Sequence, residues 1–170
     1  TLADALAATP LTVRYNSGRH VSQNGRDLAG LLDHLVTAWP RPVRRIVLVG
    51  HSMGGLVLRS ALHVGAEAGH GWVARDVSLA TLGTPHHGAP LERIGSGVDG
   101  LLEATRYAAP LARVGQVRSA GVTDLRYGSV AEADWRGRNR FERGPDRRQH
   151  IPLPDGVQVF LIAATTSDVR

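Results

Sequence analysis

A short turn flanked by glycines carries the clearest chemical signal in the chain. Gly50-His51-Ser52-Met53-Gly54 fits the pattern GxSxG. A serine on a very tight strand-to-helix turn needs glycines two residues to either side, because neighbouring chain segments approach closely there. Such a turn lifts the Ser52 oxygen above the edge of a sheet and points the Met53 amide N–H to where a substrate oxyanion would form. The pattern therefore predicts a site built for acyl transfer.

The residues around this turn supply the strand and the helix that the motif requires. Residues 46–49 are a continuous apolar run, typical of a strand buried on both faces of a parallel sheet. Residues 56–62 have the composition of a mostly buried helix. With these neighbours, an ordinary strand-to-helix turn is the weaker interpretation. A dinucleotide-binding GxGxxG turn is the other alternative, but it needs Gly where this chain has Ser52.

Strands and helices alternate along the rest of the chain. Residues 11–15, 77–82 and 157–162 are predicted strands. A helix is predicted with Asn24 as its N-cap, followed by apolar residues at helical spacing over residues 28–39. Strands that alternate with helices imply right-handed crossovers. The sequence therefore predicts an α/β fold with a mostly parallel sheet of about four strands, with functional groups at the carboxyl ends of the strands.

A long insertion separates the last two predicted strands. Apart from a helix predicted over residues 100–109, residues 89–150 are weakly patterned, and their length favours a lid or substrate-pocket element over a simple crossover. Residues 136–150 hold six Arg against two acidic residues, and so contribute +4 to the net charge of +5. A solvated polar loop is favoured there over a nucleic-acid site, because no nucleic-acid-binding pattern accompanies the charge.

Residue types that the chain lacks narrow the chemistry further. Its 170 residues contain no Cys, which excludes disulfides, cysteine nucleophiles and cysteine-based zinc and iron–sulfur sites. All 20 basic residues are Arg, which excludes chemistry that depends on lysine. None of the histidines has a metal-ligand spacing such as HExxH, so we expect neither a metal nor another cofactor. No apolar stretch has the roughly 18 residues that a membrane span requires.

Two segments resemble a known family. Gly50-His-Ser-Met-Gly-Gly55, followed by Leu79-Ala-Thr-Leu-Gly-Thr-Pro-His-His-Gly88, is similar to α/β-hydrolases of the lipase and esterase type. The closest resemblance is to the bacterial lipase-like proteins grouped with the PGAP1-like family, and Tyr15-Asn-Ser-Gly18 and Ser119-Ala-Gly-Val-Thr-Asp-Leu-Arg126 add to it. The resemblance implies that Ser52 is the nucleophile and that the Met53 amide is one oxyanion donor.

The resemblance also implies an acid and then a histidine after the nucleophile. Asp168 follows the last predicted strand, but the resembling proteins usually carry their acid a little further along the chain. Asp168 is therefore only a fallback candidate for the acid, and otherwise a turn residue. No histidine follows it. His86 and His87, at the carboxyl end of the strand at 77–82, are either catalytic groups or, as we favour, turn residues that bond to backbone groups. His51 is expected to pack away from Ser52, and His20 to be a surface or helix-face residue.

We expect residues 1–170 to form a partial α/β-hydrolase domain that is poorly folded and inactive by itself. The resemblance places a second oxyanion donor and the base outside these residues, and a further strand between those at 11–15 and 46–49. The function indicated is a serine ester hydrolase that acts on a small-molecule or lipid ester, without a nucleic-acid partner. Two alternatives stay open: an amidase, thioesterase or acyltransferase with the same turn, or a non-catalytic binding module. The lack of Cys favours the cytoplasm without excluding export, and nothing indicates an oligomeric state.

Overall fold

A computed structural model describes residues 1–88, 119–137 and 148–163. In chain order the elements are α1 (Leu2–Ala5), α2 (Val21–Ala38), β1 (Arg45–His51), α3 (Met53–Glu67), β2 (Asp76–Leu82), α4 (Ala120–Tyr127), a 3₁₀ turn (Glu132–Asp134) and β3 (Gln158–Ile162). The helix expected over residues 100–109, most of the 89–150 insertion and Asp168 lie outside the described residues. Within the described ranges, no helix is both long and apolar enough to cross a membrane.

The three strands form one parallel sheet in the order β1-β2-β3. The register sets His51 beside Leu82, and Leu82 beside Ile162, so the carboxyl ends of all three strands lie at one edge. Strands at 46–49, 77–82 and 157–162 and the helix over 56–62 are confirmed, each with slightly different ends. The α/β fold with a parallel sheet is therefore as predicted.

The segment at residues 11–15 is not the strand that its sequence predicts. It has no regular structure, and Leu11 and Val13 are 57% and 45% exposed. A strand is stabilised by a ladder of hydrogen bonds to a neighbour. In the described ranges β1 pairs only with β2, so no strand is available beside this segment. The described sheet consequently has three strands where the sequence predicted about four.

Helix α2 begins at Val21, three residues before the expected cap at Asn24. His20 is the N-cap residue, and the Val21 amide donates a 2.7 Å hydrogen bond to the carboxylate of Asp124. Asn24 is instead buried inside the helix, where its side chain donates to the Asn16 carbonyl at 2.9 Å. The predicted start was wrong because the group that accepts from the first helical amide lies 103 residues further along the chain.

The core lies between one face of the sheet and the layer formed by α2 and α3. Gly25 of α2 lies against Ser60 of α3, where any Cβ would collide with the serine side chain. Trp72 is fully buried behind α3, and its indole N–H donates to the Ala29 carbonyl of α2 at 3.1 Å. The largest other fully buried apolar side chains are Leu56, Leu62, Leu79, Val21 and Val77.

The opposite face of the sheet is open in the described part of the chain. Neighbouring residues of a strand point to opposite faces, and Leu48 is 7% exposed whereas Val49 is 51% exposed. Phe160 of β3 lies in register with Val49 across the sheet, and it is 54% exposed. The expectation that β1 is buried on both faces was therefore wrong, because the described helix that packs directly on the strands, α3, covers only one face.

Replacing Trp72 by Ala removes a fully buried side chain and its hydrogen bond to α2. We expect the free energy of unfolding of the full-length protein to fall by about 3–5 kcal/mol, as is typical of large-to-small changes in a core. Denaturant titration followed by circular dichroism measures it. The matched control is Trp39→Ala, at the half-buried end of α2, which should cost less than about 1.5 kcal/mol. Equal losses in the two variants would contradict the assignment.

Candidate active site

Ser52 lies between β1 and α3 with a strained backbone. Its φ is 51° and its ψ is −121°, in a region that side-chain-bearing residues rarely adopt. Such a conformation costs on the order of 1–3 kcal/mol and persists only where the surroundings hold it in place. Among the described residues other than glycine, Ala7 alone shares a positive φ. The strained serine turn that the motif implies is therefore present.

The carboxyl end of β2 holds this turn. The Ser52 amide donates to the Leu82 carbonyl at 2.9 Å, and the Thr84 hydroxyl donates to the Ser52 carbonyl, also at 2.9 Å. The Gly55 amide donates to that same carbonyl at 3.1 Å and closes the first turn of α3. Both polar backbone groups of the strained residue thus have partners, so the conformation carries no further cost from unpaired buried groups.

Gly50 and Gly55 are the glycines that permit this close approach. A Cβ on Gly50 would lie 2.7 Å from the Gly55 amide nitrogen, and a Cβ on Gly55 would collide with the Thr84 side chain. Gly54 has more room, since the nearest atom to its Cβ position is the Tyr15 phenol oxygen at 3.8 Å. Packing among the described residues therefore requires Gly55, which stands outside the five-residue pattern, more strictly than Gly54.

The hydroxyl of Ser52 and the amide of Met53 both lack hydrogen-bond partners among the described residues. Ser52 is half-buried, and Met53 is the first residue of α3, whose N-terminus carries partial positive charge. The Met53 side chain is buried, which anchors the start of the helix. An oxygen nucleophile next to a backbone donor and a helix N-terminus can add to a carbonyl and stabilise the resulting oxyanion.

His86 is held by side chains away from Ser52. Its Nε2 lies 3.0 Å from the Thr81 hydroxyl, and an Arg59 nitrogen lies 3.4 Å from its Nδ1. Since Arg59 can only donate, Nδ1 accepts and Nε2 carries the proton. Burial lowers the pKa of His86, and the charges of Arg59 and His87 lower it further. A turn role fits these contacts better than a catalytic one, although the partners are side chains where backbone groups were expected.

The other histidines also stay outside hydrogen-bond distance of Ser52 in the described structure. His51 is exposed, so the expectation that it packs was wrong. His87 is likewise exposed. In the ranges that the structure covers, no group of three or more His, Asp or Glu side chains could hold a metal ion.

His20, expected from the sequence to be a surface or helix-face residue, lies at the N-cap of α2 and belongs to a largely buried polar cluster. Its Nδ1 lies 3.0 and 3.1 Å from the two carboxylate oxygens of Asp124, and its ring stacks on Trp135 at 3.8 Å. The Trp135 indole N–H donates to the Ser22 hydroxyl at 2.9 Å. Asp124 is 1% exposed. The segment 119–126 was noted as part of the family resemblance, but nothing in its local pattern indicates a partner more than a hundred residues away.

The family comparison covers this whole arrangement. The model of the PGAP1-like alpha/beta domain matches residues 18–151, well over half of the chain. The chain belongs to the PGAP1-like alpha/beta domain family. The match confirms the resemblance to α/β-hydrolases, and its range includes both the Ser52 turn and the partners His20 and Asp124. Neither the curated proteins nor the solved structures gave a match.

In this PGAP1-like domain, the pKa of the Asp124 carboxyl is raised. Burial raises its pKa to about 6, while hydrogen bonds from Val21 and His20 act in the opposite direction and the charge of Asp134 adds to the rise. Asp124 joins α4 to the start of α2, so its protonation is coupled to the packing of the two helices. Its contacts with Val21 and His20 give it a structural role, because neither group contacts Ser52 in the described structure.

The Thr84→Val substitution removes the hydroxyl that donates to the Ser52 carbonyl and keeps the shape of the side chain. We expect a loss of about 1 kcal/mol in the free energy of unfolding of the full-length protein, because a half-buried carbonyl loses a donor. Thr84→Ser keeps the hydroxyl and is the control. Urea titrations that show the larger loss for the Ser variant would contradict the role given to this hydrogen bond.

The Asp124→Asn substitution should change how stability depends on pH. The folded protein takes up a proton on Asp124 near pH 6, whereas the unfolded carboxyl does so near its ordinary value of 3.8. A raised folded-state pKa stabilises the folded state at low pH, and this contribution is lost as the pH rises through 6. Lowering the pH from 7 to 5 should therefore stabilise wild type relative to Asp124→Asn by on the order of 1 kcal/mol. Parallel curves of unfolding free energy against pH would show that the pKa of Asp124 is not raised.

Proposed function

We propose that this PGAP1-like domain is a serine ester hydrolase of lipase or carboxylesterase type that forms an acyl-enzyme on Ser52. The observation that carries the proposal is the positive-φ backbone of Ser52 at the junction of a parallel strand and a helix. Membership of a hydrolase-like family supports the same reaction class. The proposed substrate is a small-molecule or lipid ester, and the chemistry of the site requires no cofactor.

In the proposed reaction the Ser52 oxygen adds to the ester carbonyl carbon as its proton passes to a base. The negative charge that develops on the carbonyl oxygen is stabilised by the Met53 amide and by the N-terminus of α3. Collapse of the tetrahedral intermediate breaks the ester C–O bond, and the alcohol leaves with the proton that the base returns. Water then adds to the acyl-enzyme by the same route, which releases the carboxylic acid and restores the Ser52 hydroxyl.

The proposal does not assign the base to His86 or His20, because both rings are bonded to other side chains. Both ring nitrogens of His86 are engaged with Thr81 and Arg59, and the Nδ1 of His20 is engaged with Asp124. The proposal assigns one oxyanion donor, the Met53 amide. In this proposal β1, α3 and the end of β2 therefore present the nucleophile and this donor.

A fluorophosphonate probe, which labels activated serines covalently, should label the full-length protein at Ser52. Ser52→Ala should abolish labelling and lower kcat for p-nitrophenyl esters by at least about 10³-fold, because the acyl-enzyme cannot form. Intact-protein and peptide mass spectrometry locate the label. Ser78→Ala, on β2, is the matched control and should keep both the label and the activity. Labelling that survives Ser52→Ala would refute the proposed nucleophile.

The same experiment separates the ester hydrolase from its alternatives. Parallel assays with ester, thioester and anilide substrates measure which acyl compound is turned over fastest. A higher kcat/KM for the anilide or the thioester would replace the ester hydrolase by an amidase or a thioesterase. A folded wild-type protein that neither reacts with the probe nor turns over any of the three would favour a binding module.

A further inference from the structure

A cavity lies beside α3, and Ser52 is not among the residues that line it. Its volume is about 300 Å³, and it is bounded by Arg59 of α3, by His86 and His87 after β2, and by residues 148–151. Val130 and Ile151 add an apolar side to the wall. All of these residues fall within the range that matches the PGAP1-like family.

Arg59 presents a half-buried guanidinium to this cavity with only neutral partners. Its two hydrogen bonds are long, at 3.3 Å to the Ile151 carbonyl and 3.4 Å to the Nδ1 of His86. Within the described ranges, no carboxylate forms an ion pair with it. A guanidinium has five N–H donors, so Arg59 keeps donors for a ligand.

Asp134 is the carboxylate in the wall, and it forms no ion pair with Arg59 in the described structure. Asp134 accepts hydrogen bonds from the backbone amides of Val130, Ala131 and Gln149 at 2.9, 3.0 and 3.0 Å. Its oxygens are therefore committed to holding the turn between α4 and β3. Arg148 adds a second guanidinium to the wall and donates to the His86 carbonyl at 3.0 Å.

Burial and mutual repulsion make the charged forms of the basic side chains around this cavity less favourable. Burial lowers the pKa of Arg59, and repulsion from Arg148 lowers it further despite the attraction of Asp134. Burial also lowers the pKa of His86, with Arg59 and His87 acting in the same direction. An anion in the cavity would offset this repulsion and supply acceptors to the Arg59 donors.

We propose that this cavity binds a phosphate group, with Arg59 donating hydrogen bonds to its oxygens and Arg148 adding a second guanidinium to the wall. The planar, forked guanidinium of Arg59 matches the geometry of phosphate oxygens. The cavity is larger than a phosphate group, so it has room for the organic part of a phosphate ester against Val130 and Ile151. This binding site does not depend on the reaction proposed for Ser52.

Isothermal titration calorimetry of the full-length protein at constant ionic strength tests the proposal. Inorganic phosphate and glycerol 3-phosphate should bind, and acetate should bind at least about 10-fold more weakly. Arg59→Gln should weaken binding of both phosphates at least about 10-fold, because a desolvated charge-assisted contact is lost. The matched control is Arg75→Gln, an exposed arginine just before β2, which should bind like wild type. Circular dichroism verifies that each variant is folded.

A co-sedimentation experiment with lipid vesicles decides whether the phosphate belongs to a lipid headgroup or to a free small molecule. Co-sedimentation with phosphatidylcholine vesicles that contain phosphatidic acid, lost in Arg59→Gln and kept in Arg75→Gln, would assign the phosphate to a lipid headgroup. Binding of the soluble phosphates without co-sedimentation would assign it to a free small molecule. Either result supports the phosphate site.

Three results would overturn the proposal. These are no binding of either soluble phosphate or of the vesicles, equal affinity for acetate, and unchanged phosphate affinity in folded Arg59→Gln. If Arg59→Gln does not fold, His87→Gln replaces it, since the exposed His87 ring makes no hydrogen bond in the described structure. That variant should weaken phosphate binding about 3-fold, because an imidazole that lines the cavity is lost, and an unchanged affinity would count against the site.

Discussion

The attachment of the Ser52 turn to the end of β2 is the constraint on which the candidate site depends. A strained φ at a side-chain-bearing residue is unfavourable unless its surroundings hold it in place. Here the Ser52 amide and carbonyl are bonded to Leu82 and Thr84, while Gly55 leaves the space that the Thr84 side chain fills. The nucleophile candidate is thus positioned by the adjacent parallel strand as much as by its own strand and helix.

The same loop after β2 links the two sites of the molecule. Thr84 contacts the Ser52 turn. His86, two residues later, contacts Thr81 and also contacts Arg59 in the wall of the cavity beside α3. Arg59 itself lies two turns along α3 from Ser52. The hydrogen-bonded loop after β2 and helix α3 therefore connect the serine to the cavity.

A second set of buried polar contacts attaches part of the insertion to the helical layer. Asp124 of α4 accepts from the first amide of α2 and pairs with His20, whose ring stacks on Trp135. A buried carboxylate is costly unless it is hydrogen-bonded, and these contacts offset part of that cost, since the pKa of Asp124 stays raised. The parts of the insertion that the structure describes are consequently packed against α2 through polar contacts as well as apolar ones.

The amino-acid sequence by itself determined the local features of this protein. Apolar runs gave the three strands and the helix after the turn, and the glycines around Ser52 gave the tight turn, because each signal lies within a few neighbouring residues. The start of α2, the role of His20, the open face of β1 and the absence of a strand at 11–15 were decided only by tertiary structure. Each depends on a partner distant in the chain, or on the lack of one. A local sequence pattern cannot show a hydrogen-bond acceptor, a covering helix or a neighbouring strand that lies far away in the chain.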